Sequence, residues 1–320
     1  MYDKLKTAYG AVSKKGVSSI LTKMRIKNGL VVGTNGSLTI GVQVPELEHL
    51  DITLAADKFL KAIATADPSK LKMKVTDTGR LSITAGKFRA LIPTIPNDSF
   101  PEVQIDGNML DCNNILEGLK CVAPFMGDDA IRVWSNGVRL TKDFMYATNN
   151  VSMVKYEVRM IVPDMVIPRG TVTELLRINK EPVATVADDS SVTFIMDDET
   201  WVNSQTIDSK WPDVEHIFVN TDTVEPVHPE LAKAVKDIVP FCNDMTLPAI
   251  YFSKDGITTS EGDLQSTYEG IELPDACFHA DLLNILLPHI EQVDWSHYPK
   301  PCPFLGAGGK LTGVCMGLIT

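Results

Sequence analysis

Apolar and polar residues alternate along this chain with two different periods, and the periods succeed one another in a fixed order. From Ala55 to Ala66 the apolar residues recur at helical spacing, and the run leads into alternating segments at Leu71–Val75 and Arg80–Thr84 that read as strands. The same succession returns at Pro168–Ile178, where a proline suits the first turn and Val172, Leu175, Leu176 and Ile178 form the apolar set. Strand-like Val183–Ala187 and Ser191–Met196 follow it. Asp77-Thr78-Gly79 and Asp188-Asp189-Ser190 separate the two strand pairs and predict hairpins.

The recurrence extends to particular residues. Leu91 to Val103 reads as a strand ending in Thr-Ile, a polar turn, then aromatic-Pro-acidic-Val, and Val202 to Val214 reads the same way. Pro101 and Pro212 lie 111 residues apart, and the same interval beyond Ile207 falls near residue 318. There the chain offers a helix-like Asp281–Ile290 and a last apolar strand, Leu311–Ile319. The expected architecture is therefore α+β in three similar domains, 1–104, 105–219 and 220–320. Each opens with a helix, at Met1–Val12, Cys112–Val122 and Pro229–Val239.

Composition agrees with this reading and narrows the chemistry. A chain of 320 residues, 44% hydrophobic and 22% charged, is that of a soluble globular protein with more than one domain. It has no apolar run of bilayer-spanning length, and Met1 to Lys6 lacks the core of a signal peptide. Six scattered cysteines without a CxxC pair suggest reduced thiols and a cytoplasmic location. Gly306-Ala307-Gly308-Gly309-Lys310 is not a phosphate loop, because Phe304 stands where the first glycine belongs and Leu311 follows the lysine. The six histidines show no metal-ligand spacing, so no metal site is expected. The pairs Asp188-Asp189 and Asp197-Asp198 would suit a hydrolase, but they flank short strands, where charged turns are the ordinary reading.

At the repeated motifs the chain resembles the beta clamp of bacterial DNA polymerase III. Gly86-Lys87-Phe88-Arg89 through Thr94-Ile95-Pro96-Asn97-Asp98-Ser99-Phe100-Pro101 is similar to the end of that family's first domain. Ile167-Pro168-Arg169-Gly170 through Glu174-Leu175-Leu176-Arg177 resembles the second helix of its second domain, and Trp211-Pro212-Asp213 the step that closes it. Ala147-Thr148-Asn149 stands where the family has Ala-Thr-Asp. The resemblance implies a non-enzymatic processivity factor without cofactor, a homodimer closed head to tail into a six-domain ring. Helices would line the hole around double-stranded DNA. A replicative polymerase and a clamp-loader ATPase would dock through short peptide motifs. A structural or interaction protein of a phage, built from repeated β-rich domains, is the alternative that the repeat leaves open.

The resemblance also assigns residues. A net charge of −11 argues against a nucleic-acid partner only on average. Basic residues fall on the proposed channel helices: Lys4, Lys6, Lys14, Lys15, Lys58, Lys61, Lys120, Arg169, Arg177, Lys180, Lys233 and Lys236. Acidic ones gather elsewhere, in Glu46 to Asp51, Asp197 to Glu199 and Glu261 to Asp263. Any one of these lysines is equally an ordinary solvated helix face. The family's partner-peptide pocket maps onto Thr148, Asn150, Val151 and Met153, onto Ile217 and Phe218, and onto Val314, Met316 and Leu318. Here the family's Gly-His-Arg-Leu is Asn150-Val151-Ser152-Met153, and its Met-Pro-Met-Arg is Met316-Gly317-Leu318-Ile319, which points to a different peptide preference. Lys87-Phe88-Arg89 is a candidate subunit contact, with acidic residues of the third domain as its counterpart.

Overall fold

A computed structural model describes residues 1–15, 18–103, 105, 109–160, 162–218, 221–242, 248–259 and 265–319. Glu261 to Asp263, one of the expected acidic clusters, lies outside the described residues. Three β-rich domains follow one another. The first holds α1 (Tyr2–Tyr9), β1 (Lys23–Lys27), β2 (Leu30–Thr34), β3 (Leu38–Gln43), β4 (Asp51–Ala55), α2 (Ala56–Thr65), β5 (Leu71–Val75), β6 (Arg80–Ala85) and β7 (Phe88–Ile95). The second holds β8 (Leu110–Asn113), α3 (Ile115–Val122), β9 (Gly137–Leu140), β10 (Phe144–Thr148), β11 (Ser152–Glu157), β12 (Arg159–Met160), β13 (Met165–Pro168), α4 (Arg169–Ile178), β14 (Pro182–Ala187), β15 (Ser191–Met196) and β16 (Trp201–Gln205). The third holds β17 (Glu225–Pro226), α5 (Leu231–Ile238), β18 (Ala249–Ser253), β19 (Gly256–Thr259), β20 (Thr267–Glu269), β21 (Ala276–His279), α6 (Ala280–Leu286), β22 (Gln292–Val293), β23 (Cys302–Gly306) and β24 (Leu311–Cys315).

The chain packs as two compact units, 1–116 with 160–207, and 117–159 with 208–320. These units cut across the sequence repeat because sheets continue from one copy into the next. In the first unit β16 pairs with β3, setting Trp201 opposite Gly41 and Val202 opposite Ile40. In the second, β11 pairs with β24, setting Met153 opposite Val314 and Ser152 opposite Cys315.

In the first unit the strands run in the order β8-β14-β15-β16-β3-β2-β1-β4-β7-β6-β5. Leu5 and Ala8 bury one side of α1 against β2 and β3. A Cβ at Gly33 would stand 2.3 Å from the Ala8 carbonyl oxygen, so only glycine lets the helix lie this close. α2 buries Phe59, Leu60 and Ile63 and packs on α1, and Arg177 of α4 donates to the Thr7 carbonyl at the end of α1 (3.0 Å). The three helices thus form a row over one sheet.

In the second unit β9-β10-β11-β24-β23-β22-β17 lie side by side, and β20-β19-β18-β21 form a separate sheet. α5 packs against β19, β20 and α6. Phe252, Phe278 and Trp295 form an aromatic cluster with centroids 4.9–5.3 Å apart. Among the described residues no helix is long and apolar enough to cross a membrane. The cysteines are unpaired thiols, buried except for the half-buried Cys121.

Two expected elements are displaced. Cys112 belongs to β8, where its thiol reaches the Pro182 carbonyl (3.3 Å), and the helix begins only at Ile115. The Glu181 carboxylate accepts the Ile115 and Leu116 N–H groups (2.7 and 3.1 Å), so a distant residue caps this helix. The last strand stops at Cys315 and not at Ile319. Beyond it the Leu318 N–H goes to the Cys277 carbonyl (2.7 Å), and the Leu318 carbonyl takes the Tyr298 hydroxyl (2.5 Å). A Cβ at Gly317 would meet the Tyr298 ring at 2.5 Å, so this departure needs glycine there. Gly306–Lys310 is the connection between β23 and β24, with Gly308 and Gly309 at positive φ, as a hairpin turn requires.

Candidate functional site

The turn from β10 to β11 is built by its own polar side chains. Asn149 Oδ1 accepts the N–H groups of Val151 (3.1 Å) and Ser152 (2.7 Å), while Thr148 Oγ1 accepts that of Asn150 (3.1 Å). Asn150 adopts φ 69°, a left-handed conformation that asparagine tolerates. Its side chain reaches Asp129 (3.3 Å), which also accepts the Ile131 and Arg132 N–H groups (2.7 and 2.9 Å). Those backbone hydrogen bonds, chiefly the one from Arg132, hold the Asp129 carboxyl below the usual range. Two loops are thereby tied into one rim.

Under this rim lies a cavity of about 250 Å³, walled by Thr148, Asn150, Val151, Met153, Ile217, Val314 and Met316. Seven of the nine predicted pocket residues thus share one cavity. Phe218 and Leu318 do not line it: the Phe218 ring lies against Tyr146 (6.3 Å) and under the Lys155 ammonium (4.4 Å), and Leu318 is held by Cys277 and Tyr298. Three lining residues escaped sequence reasoning, Arg132, Trp134 and Pro301, while Ser152 entered it only as part of the changed Asn150–Met153 stretch. The available signal was an apolar loop between turn residues, since Ile131 (91% exposed) and Val133 flank Arg132. Trp134 also packs edge-on against the buried Trp211 (4.9 Å).

The cavity has an apolar floor, a polar rim and one charged lining side chain, Arg132. Its volume is below the roughly 300–1,000 Å³ usual for whole small ligands, and suits one or two side chains of a bound segment. Beside it Glu215 accepts the Tyr146 hydroxyl (2.6 Å) and the Lys155 ammonium (2.8 Å). Burial works against ionisation of Glu215, but Lys155 and Tyr146, with the Arg139 charge, outweigh it and leave the carboxyl below its ordinary range. A depressed carboxylate contributes stability at neutral pH and loses it as the pH falls through that lowered value.

The predicted channel cations divide into groups. Lys6, Lys120 and Lys236 are exposed on α1, α3 and α5 and enter no ion pair among the described residues. Lys58 and Lys61 both pair with Asp57, Arg177 pairs with Glu174, and Lys233 with Asp237. Lys4 is half-buried and donates to the Gln43 carbonyl (3.0 Å), and Arg169 opens α4. Three expected helix residues lie outside helices: Lys14 and Lys15 follow the end of α1 at Tyr9, and Lys180 follows α4 and pairs with Asp198. The acidic pairs are turn-formers. Asp188 accepts the Ser190 and Ser191 N–H groups (both 2.7 Å), and Asp198 holds Lys180 and the Thr200 N–H. Among the described residues no group of three or more His, Cys, Asp and Glu is placed to hold a metal ion.

Solved structures share this frame of sheets and helices. The DNA polymerase sliding clamp of Bacillus subtilis superposes with a TM-score of 0.85 at 16% identity, over 100% of this chain and 97% of that one. This chain has the sliding-clamp fold. The clamp of Pseudomonas aeruginosa, solved bound to griselimycin, gives a TM-score of 0.83 at 16% identity, and the beta subunit of Thermotoga maritima gives 0.80 at 17%. Each comparison covers 100% of this chain and 97% of the other. By sequence the chain is similar to the beta sliding clamp of Buchnera aphidicola, 23% identical over 217 residues. That match takes in 61% of this chain and 59% of the relative's length. No family model matches the chain.

Proposed function

We propose that this protein is a non-catalytic DNA sliding clamp, which encircles duplex DNA and tethers a replicative DNA polymerase. The observation that carries the reading is the agreement of fold over the whole chain and nearly the whole of each clamp compared. It favours a clamp over a virion component. On this reading the domains are 1–104, 105–219 and 220–320, the cavity beside Met153 receives short peptides of polymerase and loader, and the protein acts in the cytoplasm.

A head-to-tail dimer closes the ring. β4 pairs only with Thr94 and Ile95 of β7, so from Phe88 to Pro93 that side of β7 has no strand neighbour among the described residues. An unpaired edge invites a strand from another chain. Beside it Lys58, Lys61, Ala62, Phe88, Leu91 and Ile92 line an apolar groove with a basic margin. Among the described residues β20 of the third domain also lacks a neighbour on its outer side, and Asp255, Glu269 and Glu272, with Lys254, lie around it. Pairing β7 of one copy with β20 of the next joins a basic edge to an acidic one.

Synthesis on a primed circle with the cognate polymerase and loader tests this function. Product length is expected to depend on the clamp, and Met316→Glu in the pocket to abolish that dependence. Synthesis that is equally processive without the protein would overturn the proposal. DNA binding is tested separately with Lys6→Glu, Lys120→Glu and Lys236→Glu, alone and combined, on linear duplex. For every phosphate that a variant no longer neutralises, the plot of log affinity against log salt flattens by about 0.9. An unchanged slope would make these lysines solvated helix faces.

A further inference from the structure

We propose that Glu215 is a positioning residue that holds Ile217 in the cavity wall and thereby sets how tightly an apolar peptide side chain is bound. The proposal rests on reading the cavity as a peptide pocket. Among its described residues, the segment between β16 and β17 contains a single turn of regular structure, the 3-10 turn Glu215–Ile217. From the described residues of this segment the cavity takes one lining residue, Ile217. A wall carried by so short a turn needs an anchor outside the segment.

Glu215 supplies it at two points. Its Oε1 accepts the Tyr146 hydroxyl at 2.6 Å and its Oε2 accepts the Lys155 ammonium at 2.8 Å. Tyr146 and Lys155 face each other across β10 and β11, the two strands that bring Thr148 and Met153 to the same cavity. The opposite wall is therefore tied to Ile217 through one carboxylate. Phe218 completes the attachment from the other side of Ile217, with its ring 4.4 Å from the Lys155 ammonium. Asp213 and His216 are the ionisable residues within two positions of Glu215 along the chain, and the Asp213 carboxylate approaches the Glu215 N–H at 3.4 Å. The Glu215 carboxylate is largely solvent-facing, so the effect of removing it is modest and is read as affinity, not as unfolding.

The test uses the full chain and griselimycin as the probe, with binding by calorimetry and amide exchange over residues 212–218. Glu215→Ala is expected to weaken binding about three- to tenfold and to speed exchange in the segment. Glu215→Gln, which keeps an acceptor for Tyr146, is expected to recover part of both. In an Ile217→Ala background, Glu215→Ala is expected to cause no further loss, because the two act through one wall. Additive losses, or unchanged exchange in Glu215→Ala, would overturn the assignment. If the unaltered chain does not bind the probe, the pocket reading fails and the affinity role with it, while the exchange result still decides whether Glu215 anchors the turn.

Discussion

Leu91→Glu is expected to turn a dimer into a monomer and to abolish support of processive synthesis. Leu91 is 59% exposed in the chain and lines the groove along the open edge of β7. Placing a carboxylate there costs the isolated chain little, since substitutions at such surface positions usually stay within about 0.5 kcal/mol. In a β7–β20 seam the same carboxylate would meet Glu269 and Asp255 while removing apolar burial, so the penalty falls on association. Light scattering after size exclusion should give about twice 35.1 kDa for the unaltered chain and the single mass for the variant, at matching thermal stability. A variant that stays dimeric would place the interface elsewhere.

The largest stability effect is expected from Phe304→Ala. Phe304 is fully buried on β23, stacks on Phe125 (6.2 Å) and covers Gly313 of β24, whose Cβ, if present, would stand 2.2 Å from the ring. A side chain at 313 would not refill the space freely, because its Cβ would also stand 2.9 Å from the Met153 carbonyl oxygen. The truncation should cost about 3–5 kcal/mol, and on the order of 10 °C in melting temperature. Phe304→Leu retains most of the volume and should cost about 1–2 kcal/mol. Because β24 also carries Val314 of the cavity, Phe304→Ala should weaken griselimycin binding as well. Equal melting temperatures for the two variants would argue that the ring is not a packing element.

Much of this fold is legible where local chemistry and tertiary context agree. The hairpin Leu71–Val75 to Arg80–Ala85 turns at Gly79, whose φ is 67°, and α2 starts and ends within a residue of its apolar period. Legibility fails where a distant group decides. Cys112 reads as part of a helix because nothing local reveals that Glu181 caps the chain at Ile115. The final strand reads too long because its end depends on Tyr298.

The cavity shows the same division. Thr148 to Met153 and Val314 are placed only by the resemblance, through Ala147-Thr148-Asn149 and the C-terminal segment; the residues by themselves read as a turn and the core of a last strand. Arg132 and Trp134 come from the irregular connection between α3 and β9, where no apolar period runs through them. Helix-borne basic residues are visible as charge, and local pairs such as Asp57 with Lys61 are readable by spacing. The pairing of Lys180 with Asp198 joins residues 18 apart across a fold, and spacing does not announce it.

Electron microscopy of the purified protein, at concentrations where light scattering shows the dimer, tests the central claim most directly. Class averages are predicted to show a closed ring of six lobes around an open hole. A dimer without a hole, or particles joined through faces other than the β7 edge, would contradict the sliding-clamp account.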